Sequence, residues 1–356
     1  MPLSFPSTHP TGTIYEGFAN GYLYVYDGYQ WVMSPNTFTN AISAWFTSFL
    51  YRTLYTRGYM HCGYQNSSLW RNTNRTVHST DVTVNLGDMM DYVANYMDCG
   101  FSDYHSYVFN DNNAMQGSTT TVSRMSMTTE TLLGYTGNAN MTVNRQDCKT
   151  LMSPALVYIY ITGGGNASTD KLNTTSDTML NAGNIGSSSC AGGTVGGLSG
   201  FFGQFYGTVG ANSSSASLNF STETWATGTW SFASSTDGQP KGLSSKVGYG
   251  YNASGTYNGS STYYKFNDTT RSQISTFSRP ESCGEENCQI GQDWGYTIGA
   301  YNGSSQNNNS TKTYYNTDSC VAMGSTTQPK GHGGASSGGC GTGSCSLLGG
   351  LPGTSM

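Results

Sequence analysis

Residues 11–33, TGTIYEGFANGYLYVYDGYQWVM, constrain the fold of this chain more than any other stretch. Tyr22, Tyr24 and Tyr26 alternate with Leu23 and Val25, so a strand here has one phenolic and one aliphatic face. Asn20-Gly21 precedes it and Asp27-Gly28 follows it, and both pairs suit two-residue hairpin turns that need positive φ. The spacing predicts a three-stranded meander with strands at Ile14–Ala19, Tyr22–Tyr26 and Tyr29–Met33.

Charged residues make up only 10% of the 356-residue chain, and hydrophobic residues 36%. That pairing is common in disordered chains, but disordered chains are poor in aromatics. Here 13% of residues are aromatic, so the chain is expected to fold. The net charge of −5 is spread out with no basic run, which argues against nucleic acid as a partner. The N-terminal dozen residues lack the basic and apolar regions of a secretory signal, and no stretch is apolar enough for a membrane-spanning helix.

The pattern G-x-x-Y…NG-x-x-Y-x-YDG-x-x-W, carried by Gly12, Tyr15, Asn20, Gly21, Tyr24, Tyr26, Asp27, Gly28 and Trp31, resembles a short hairpin module of tailed-phage virion proteins, in tail, fibre and neck components. The resemblance implies a virion protein, made in the cytoplasm and carried out in a particle.

Beyond the meander, Phe38, Ile42, Trp45, Phe46, Phe49, Leu50 and Leu54 form one apolar stripe that predicts an amphipathic helix over 35–56, packed as a core helix on a sheet. A shorter helix is expected from Asp88 to Asp98, and a buried strand at Ser153–Thr162 before Gly163-Gly164-Gly165. Residues 1–165 therefore read as an α+β domain. From 166 to 330, Gly, Ser, Asn and Thr dominate. Short strands recur there at Ser217–Ser221, Thr229–Ala233, Val247–Tyr251, Thr262–Phe266 and Gly295–Tyr301. The expected class is mainly β with a small α+β N-terminal part, and antiparallel sheets (sandwich, barrel or fibre-like) in the C-terminal half. YNGSS occurs at Tyr257–Ser261 and Tyr301–Ser305 with TYY after each copy, which suggests two related hairpins. Residues 331–356 form a Gly/Cys-rich tail, a flexible linker unless it is pinned.

No catalytic or metal-binding constellation stands out, and no cofactor motif is present. Asp98, Cys99, Asp103 and His105 are the one grouping of carboxylate, thiol and imidazole, and a helix end followed by a polar turn explains them equally well. Tyr22, Tyr24, Tyr26 and Trp31 form one candidate platform for stacking on sugars, and Tyr249, Tyr251, Tyr263 and Tyr264 another. Burial against a neighbouring sheet or subunit is the competing explanation. Ala191–Ala211 is an uncharged glycine-rich stretch that reads as a packed loop or strand.

Nine cysteines include the equally spaced pairs Cys283/Cys288 and Cys340/Cys345, candidates for structural disulfides. Glycosylation sequons stand at Asn166, Asn173, Asn212, Asn219, Asn252, Asn258, Asn267 and Asn302, with others at Asn66, Asn74, Asn140, Asn308 and Asn309. Composition alone would yield roughly eight such strings. The functional expectation is a non-enzymatic structural protein of a virion or extracellular surface. It would self-associate through uncharged Tyr/Gly-rich β surfaces, its partners being copies of itself or other virion or surface proteins. A glycan- or receptor-binding adhesin is the alternative, and a polysaccharide hydrolase a more distant one.

Overall fold

A computed structural model describes the strands named below and the turns at 78–81, 127–130, 174–177, 220–223 and 315–318. It also describes short flanking stretches at 89, 102, 120–121, 140–145, 153, 157, 166–167, 270 and 323. The described residues contain strands and no helix, and the fold is mainly β. The chain divides into two compact units, Met1–Arg52 and Thr53–Met356.

In the first unit β1 (Ile14–Gly17), β2 (Tyr22–Tyr26) and β3 (Trp31–Met33) form the expected antiparallel meander. Its register agrees with the alternation. Tyr15 lies opposite Tyr24 and Tyr26 opposite Trp31, while Ile14, Val25 and Val32 line up across the three strands. Directly opposed residues share a sheet face. Tyr15, Tyr22, Tyr24, Tyr26 and Trp31 therefore occupy one face, and the aliphatic residues the other.

The second unit is built from one motif used six times. Sheet 1 contains β4 (Tyr55–Gln65), β5 (Ser68–Val77) and β6 (Val82–Asp88). Sheet 2 follows with β7 (Asp98–Phe101), β8 (His105–Phe109), β9 (Val122–Ser126) and β10 (Thr131–Tyr135). Sheet 3 is β11 (Cys148–Met152), β12 (Tyr158–Gly163), β13 (Ser168–Asn173) and β14 (Thr178–Asn184). Sheet 4 is β15 (Gly196–Leu198), β16 (Tyr206–Ala211), β17 (Ser214–Asn219) and β18 (Thr224–Thr227). Sheet 5 is β19 (Lys241–Ser244), β20 (Tyr249–Ala253), β21 (Ser260–Asn267) and β22 (Ser272–Cys283). Sheet 6 is β23 (Asn287–Ile290), β24 (Trp294–Tyr301), β25 (Gln306–Tyr314) and β26 (Ser319–Ala322). The last strand, β27 (Ser344–Leu348), returns to pair with β4 and so supplies the missing first strand of sheet 1.

Each sheet is an antiparallel meander in chain order, apart from that returning strand. The first strands touch in the sequence β27, β7, β11, β15, β19, β23 and back to β27. Six four-stranded meanders around a closed inner ring, sheets 4 and 5 joined into one eight-stranded sheet by parallel pairing of β15 with β19, define a six-bladed β-propeller, shut by joining the two ends of the unit within one blade. The outermost strand of each blade keeps one free side, and so do the inner strands β7, β11, β23 and β27.

The core lies between successive sheets. Leu151 and Tyr160 of sheet 3 pack with Ala216 and Leu218 of sheet 4, and Met60 of sheet 1 packs with Tyr296 of sheet 6. Sheets 2 and 3 approach so closely that a Cβ on Gly100 of β7 would lie 2.7 Å from the side chain of Ile159 on β12, so any larger residue there would force a shift.

Several expectations change. Most of the helix expected over 35–56 lies outside the described residues, but Tyr55 and Thr56 open β4. The helix expected from Asp88 to Asp98 ends inside strands on both sides, β6 and β7, and 90–97 lie outside the described residues. The buried strand begins at Tyr158, not Ser153, because the chain first completes β11. Sheet 3 takes strands from both sides of position 165, β11 and β12 before it and β13 and β14 after it. The glycine-rich stretch is a hairpin, with Gly196 opposite Gly210. The tail is pinned by backbone pairing of β27. Strand Thr229–Ala233 lies outside the described residues.

Candidate functional site

The feature repeated around the propeller is a clasp between neighbouring sheets. It starts in the turn joining the third and fourth strands. Asp81, Glu130, Asp177, Glu223 and Asp318 occupy the last position of that turn, and among the described residues they are the non-glycine positions with positive φ, at 57°, 53°, 53°, 55° and 50°. A left-handed backbone costs a side-chain-bearing residue roughly 1–2 kcal/mol. The carboxylate must therefore do something a glycine would not.

Each carboxylate reaches the preceding sheet, where a tyrosine and a cation wait on opposed strands. Tyr59 faces Arg75, Tyr107 faces Arg124, Tyr160 faces Lys171, Tyr251 faces Lys265 and Tyr296 faces Lys312. Tyr59 Oη donates to Glu130 at 2.9 Å, and Arg75 Nη1 lies 2.7 and 2.8 Å from its two oxygens. Tyr107 Oη is 2.8 Å from Asp177, which also binds Arg124. Tyr160 Oη is 2.8 Å from Glu223, which also binds Lys171. Tyr251 Oη is 3.0 Å from Asp318, with Lys265 Nζ at 2.8 Å from both oxygens. Tyr296 and Lys312 of sheet 6 hold Asp81 of sheet 1, the lysine at 2.8 and 2.9 Å, which carries the clasp across the closure.

The surrounding geometry recurs as well. Four of the phenols also reach the carbonyl three residues before the acid: Met127, Thr174, Tyr315 and His78, at 3.2, 3.3, 3.2 and 3.4 Å. The ammonium groups sit over an aromatic ring two residues before the clasp tyrosine. Lys171 lies 3.9 Å from the Tyr158 centroid, Lys265 4.3 Å from Tyr249 and Lys312 4.2 Å from Trp294. The turn braces itself: hydroxyls on either side of the acid pair at 2.7 Å in Thr129–Thr131, Ser176–Thr178, Thr222–Thr224 and Thr317–Ser319.

Electrostatically the clasps are closed units. Burial, with the adjacent carboxylate next, pushes the phenols of Tyr107 and Tyr160 far above the usual tyrosine range. The same two effects act on Tyr251 and Tyr296. The hydrogen bond from Lys171 holds Glu223 below the usual carboxylate range. At neutral pH the phenols of Tyr107, Tyr160, Tyr251 and Tyr296 therefore stay neutral donors to their acids, which suits a fastener between sheets.

The sequence-predicted residues divide sharply. Tyr251 and Tyr263 are fully buried and Tyr264 is 9% exposed, so the second stacking platform is not a surface. Tyr251 serves a clasp, and Tyr263 donates to Thr297 Oγ1 of sheet 6 at 3.0 Å. Tyr249 lies under Lys265. Tyr22, Tyr24 and Tyr26 lie at alternate positions of β2, with Tyr26 opposite Trp31.

Cys99 lies opposite Val108, three positions along β8 from His105. That separation is about 10 Å along a strand, too far for a nucleophile–base pair. Burial and the Arg124 charge keep the His105 imidazole below its usual pKa. His61, fully buried, joins two sheets through Thr73 at 2.8 Å and Ser106 at 2.9 Å. No cluster of metal-ligating side chains occurs among the described residues.

Cys283 ends β22, Cys288 faces Thr297 and Cys345 faces Tyr59; Cys340 lies outside the described residues. Among the sequons, Asn173 and Asn219 open clasp turns, and Asn267 ends the third strand of sheet 5. Their Oδ1 atoms accept N–H bonds from Thr175 at 2.9 Å, Ser221 at 2.9 Å and Thr270 at 2.8 Å. The turn needs an acceptor followed by hydroxyls, which by itself writes Asn-x-Ser/Thr. Asn166 likewise accepts from Ser168, and Asn74 is fully buried. Asn252 lies on β20, while Asn212, Asn258 and Asn302 lie outside the described residues.

The clasp was missed in the sequence because its members are far apart along the chain. A signal was present: positions 81, 130, 177, 223 and 318 each follow a Ser/Thr, and with position 271 they recur every 46 to 49 residues. Comparison with known proteins adds no assignment, since no family model and no curated protein matches the chain.

Proposed function

We propose that this protein is a structural component of a virion or extracellular surface, a rigid propeller that packs against copies of itself or against neighbouring surface proteins. The observation that carries this reading is the outer rim. The outermost strands β6, β10, β14, β18, β22 and β26 are each paired on one side only. The first four residues of each, VTVN, TLLG, TMLN, TWAT, SQIS and SCVA, contain no charge and no proline. Soluble proteins normally guard free edges with exactly those residues. At the third position after the clasp turn stand Val84, Leu133, Leu180, Ala226, Ile274 and Val321. Of these, Leu133, Leu180, Ile274 and Val321 are 43%, 55%, 50% and 42% exposed.

An aliphatic residue at the same place on every blade, beside an open edge, fits repeated lateral contacts. The association surface is thus the rim, while Tyr59, Tyr107, Tyr160, Tyr251, Tyr263 and Tyr296 are spent on the propeller's interior. The first unit, with its hairpin resemblance to tailed-phage virion modules, supplies an attachment element in this reading. Sedimentation across a concentration series with negative-stain microscopy tests it. Regular oligomers or filaments that Leu180→Lys and Ile274→Lys weaken are expected; a strict monomer at high concentration overturns it. Intact mass with and without reductant, on the same material, reads disulfide bonding and glycan addition.

The aromatic face of β1–β3 favours a second reading, a glycan- or receptor-binding surface protein. Planar rings sharing one sheet face can stack on sugar rings. Glycan-array signal lost in Tyr24→Ala and Trp31→Ala would establish it, and an array at background would remove it.

A further inference from the structure

The position two residues before each clasp tyrosine is filled by Arg57, His105, Tyr158, Tyr249 and Trp294. Three of these are permanent rings under an ammonium group, at centroid distances of 3.9, 4.3 and 4.2 Å. One is a permanent cation: Arg57 Nη1 joins Arg75 on Glu130, at 3.3 Å. His105 alone of the five can be either, a neutral ring or a cation according to pH. Its backbone holds it in place, His105 N donating to Ser102 Oγ at 3.2 Å and its carbonyl accepting from Ser102 N at 2.8 Å. Its ring stands edge-on to that of Tyr107, with centroids 6.3 Å apart. The charged and titratable groups around it belong to the clasp of sheets 2 and 3: Tyr107 on its own strand, Arg124 on β9 and Asp177 in the turn of sheet 3. Both oxygens of Asp177 are engaged, Oδ1 by Tyr107 at 2.8 Å and Oδ2 by Arg124. Protonated His105 therefore sets a second cation beside Arg124, on a carboxylate whose two oxygens are taken. Arg57, with 39% of its side chain exposed, shares its charge with water, whereas His105 is half-buried.

We propose that the clasp between sheets 2 and 3 is acid-sensitive, with His105 as the group that takes up the proton and loosens it. Burial first, and then the Arg124 charge, favour the neutral imidazole, and Asp177 opposes them less strongly. The unfolded chain therefore takes up this proton at about pH 6.5, before the folded chain does. The stability that this clasp contributes is complete above that pH. It declines as the pH falls through it, until the folded form is protonated too. In the neutral state His105 supplies the ring that Tyr158, Tyr249 and Trp294 supply elsewhere. In the protonated state, repulsion between the two cations draws Arg124 off Asp177 and frees the turn of sheet 3. Mild acid thus loosens one junction of the ring without unfolding a blade. The device depends on the clasp and not on the rim, so it stands whether or not copies associate.

Two measurements on the full chain test the device. Histidine-labelled protein is titrated by NMR, with the His105 signal assigned from its loss in His105→Phe, and its midpoint is expected below about pH 6.5. Hydrogen exchange is read by mass spectrometry at about pH 7.5 and about pH 5.5 and corrected for the intrinsic exchange rate. Amides of β8, β9 and β13 are expected to lose protection about threefold at the lower pH. His105→Phe is expected to abolish that loss. It leaves in place any contribution from His61 and His78, which are buried against sheets 2 and 6. His105→Arg is expected to make the same amides fast at both pH values, which keeps the test decisive if the phenylalanine variant does not fold. A His105 midpoint at or above about pH 6.5 in the folded protein overturns the proposal. So does equal protection at both pH values in the native chain, or a loss that persists unchanged in His105→Phe.

Discussion

At the scale of single residues, the informative conflict is an acid in a backbone conformation that suits glycine. Glu130 holds φ at 53° while its carboxylate binds Tyr59 and Arg75. Glu130→Gly removes the clasp but relieves the backbone, whereas Glu130→Ala removes the clasp and keeps the strain. Chemical denaturation should find both less stable than the native protein, with the alanine variant worse by about 1 kcal/mol. The tyrosines give a second test. Folded-state pKa values raised above the unfolded value mean that the stabilisation is complete below the ordinary tyrosine pKa of about 10 and is lost as pH rises beyond it. Spectrophotometric titration should show Tyr107, Tyr160, Tyr251 and Tyr296 silent until the protein unfolds in alkali. A smooth titration of every tyrosine in the still-folded protein would contradict this.

At the scale of elements, the strands were legible where alternation is local. Tyr22–Tyr26 has the bounds expected from its flanking turns, and Thr262–Phe266 lies within β21. The apolar runs were less legible, because periodicity alone does not separate a buried strand from a helix. The ends of the expected helix Asp88–Asp98 therefore turned out to be strands. The YNGSS copies pointed to duplication and fall at the matching place in sheets 5 and 6, between the second and third strands; the turn acids extend the repeat to the other blades. Sheet 3 has its own lock. Arg145 and Asp170 are both fully buried, and Arg145 Nη1 and Nη2 also donate to the Gly163 and Ser168 carbonyls at 2.7 and 2.8 Å. Arg145→Met would leave Asp170 buried without its cation, at a cost of about 3–5 kcal/mol in equilibrium unfolding. A loss under 1 kcal/mol would show that the pair is dispensable.

At the scale of the whole molecule, stability depends on closing the ring. Truncation after Gly343 removes β27, exposing the edge of β4 and the face that β23 and β7 share with it. The truncated chain should lose cooperative unfolding or aggregate through the opened blade; an unchanged, sharp melting transition would mean that β27 closes nothing. The sequence by itself determined that this chain is mainly β. Scarce charge, abundant glycine and alternating aromatics act over a few residues and are read locally. It also determined the two-faced meander, because turn chemistry and alternation lie within one window. Only the tertiary structure decided that the sheets form a closed propeller and that its tyrosines face inward. Each clasp joins a phenol, a cation and a carboxylate from two sheets, dozens of residues apart or, at the closure, at opposite ends of the ring. Local pattern cannot distinguish a tyrosine that meets solvent from one that meets the next blade.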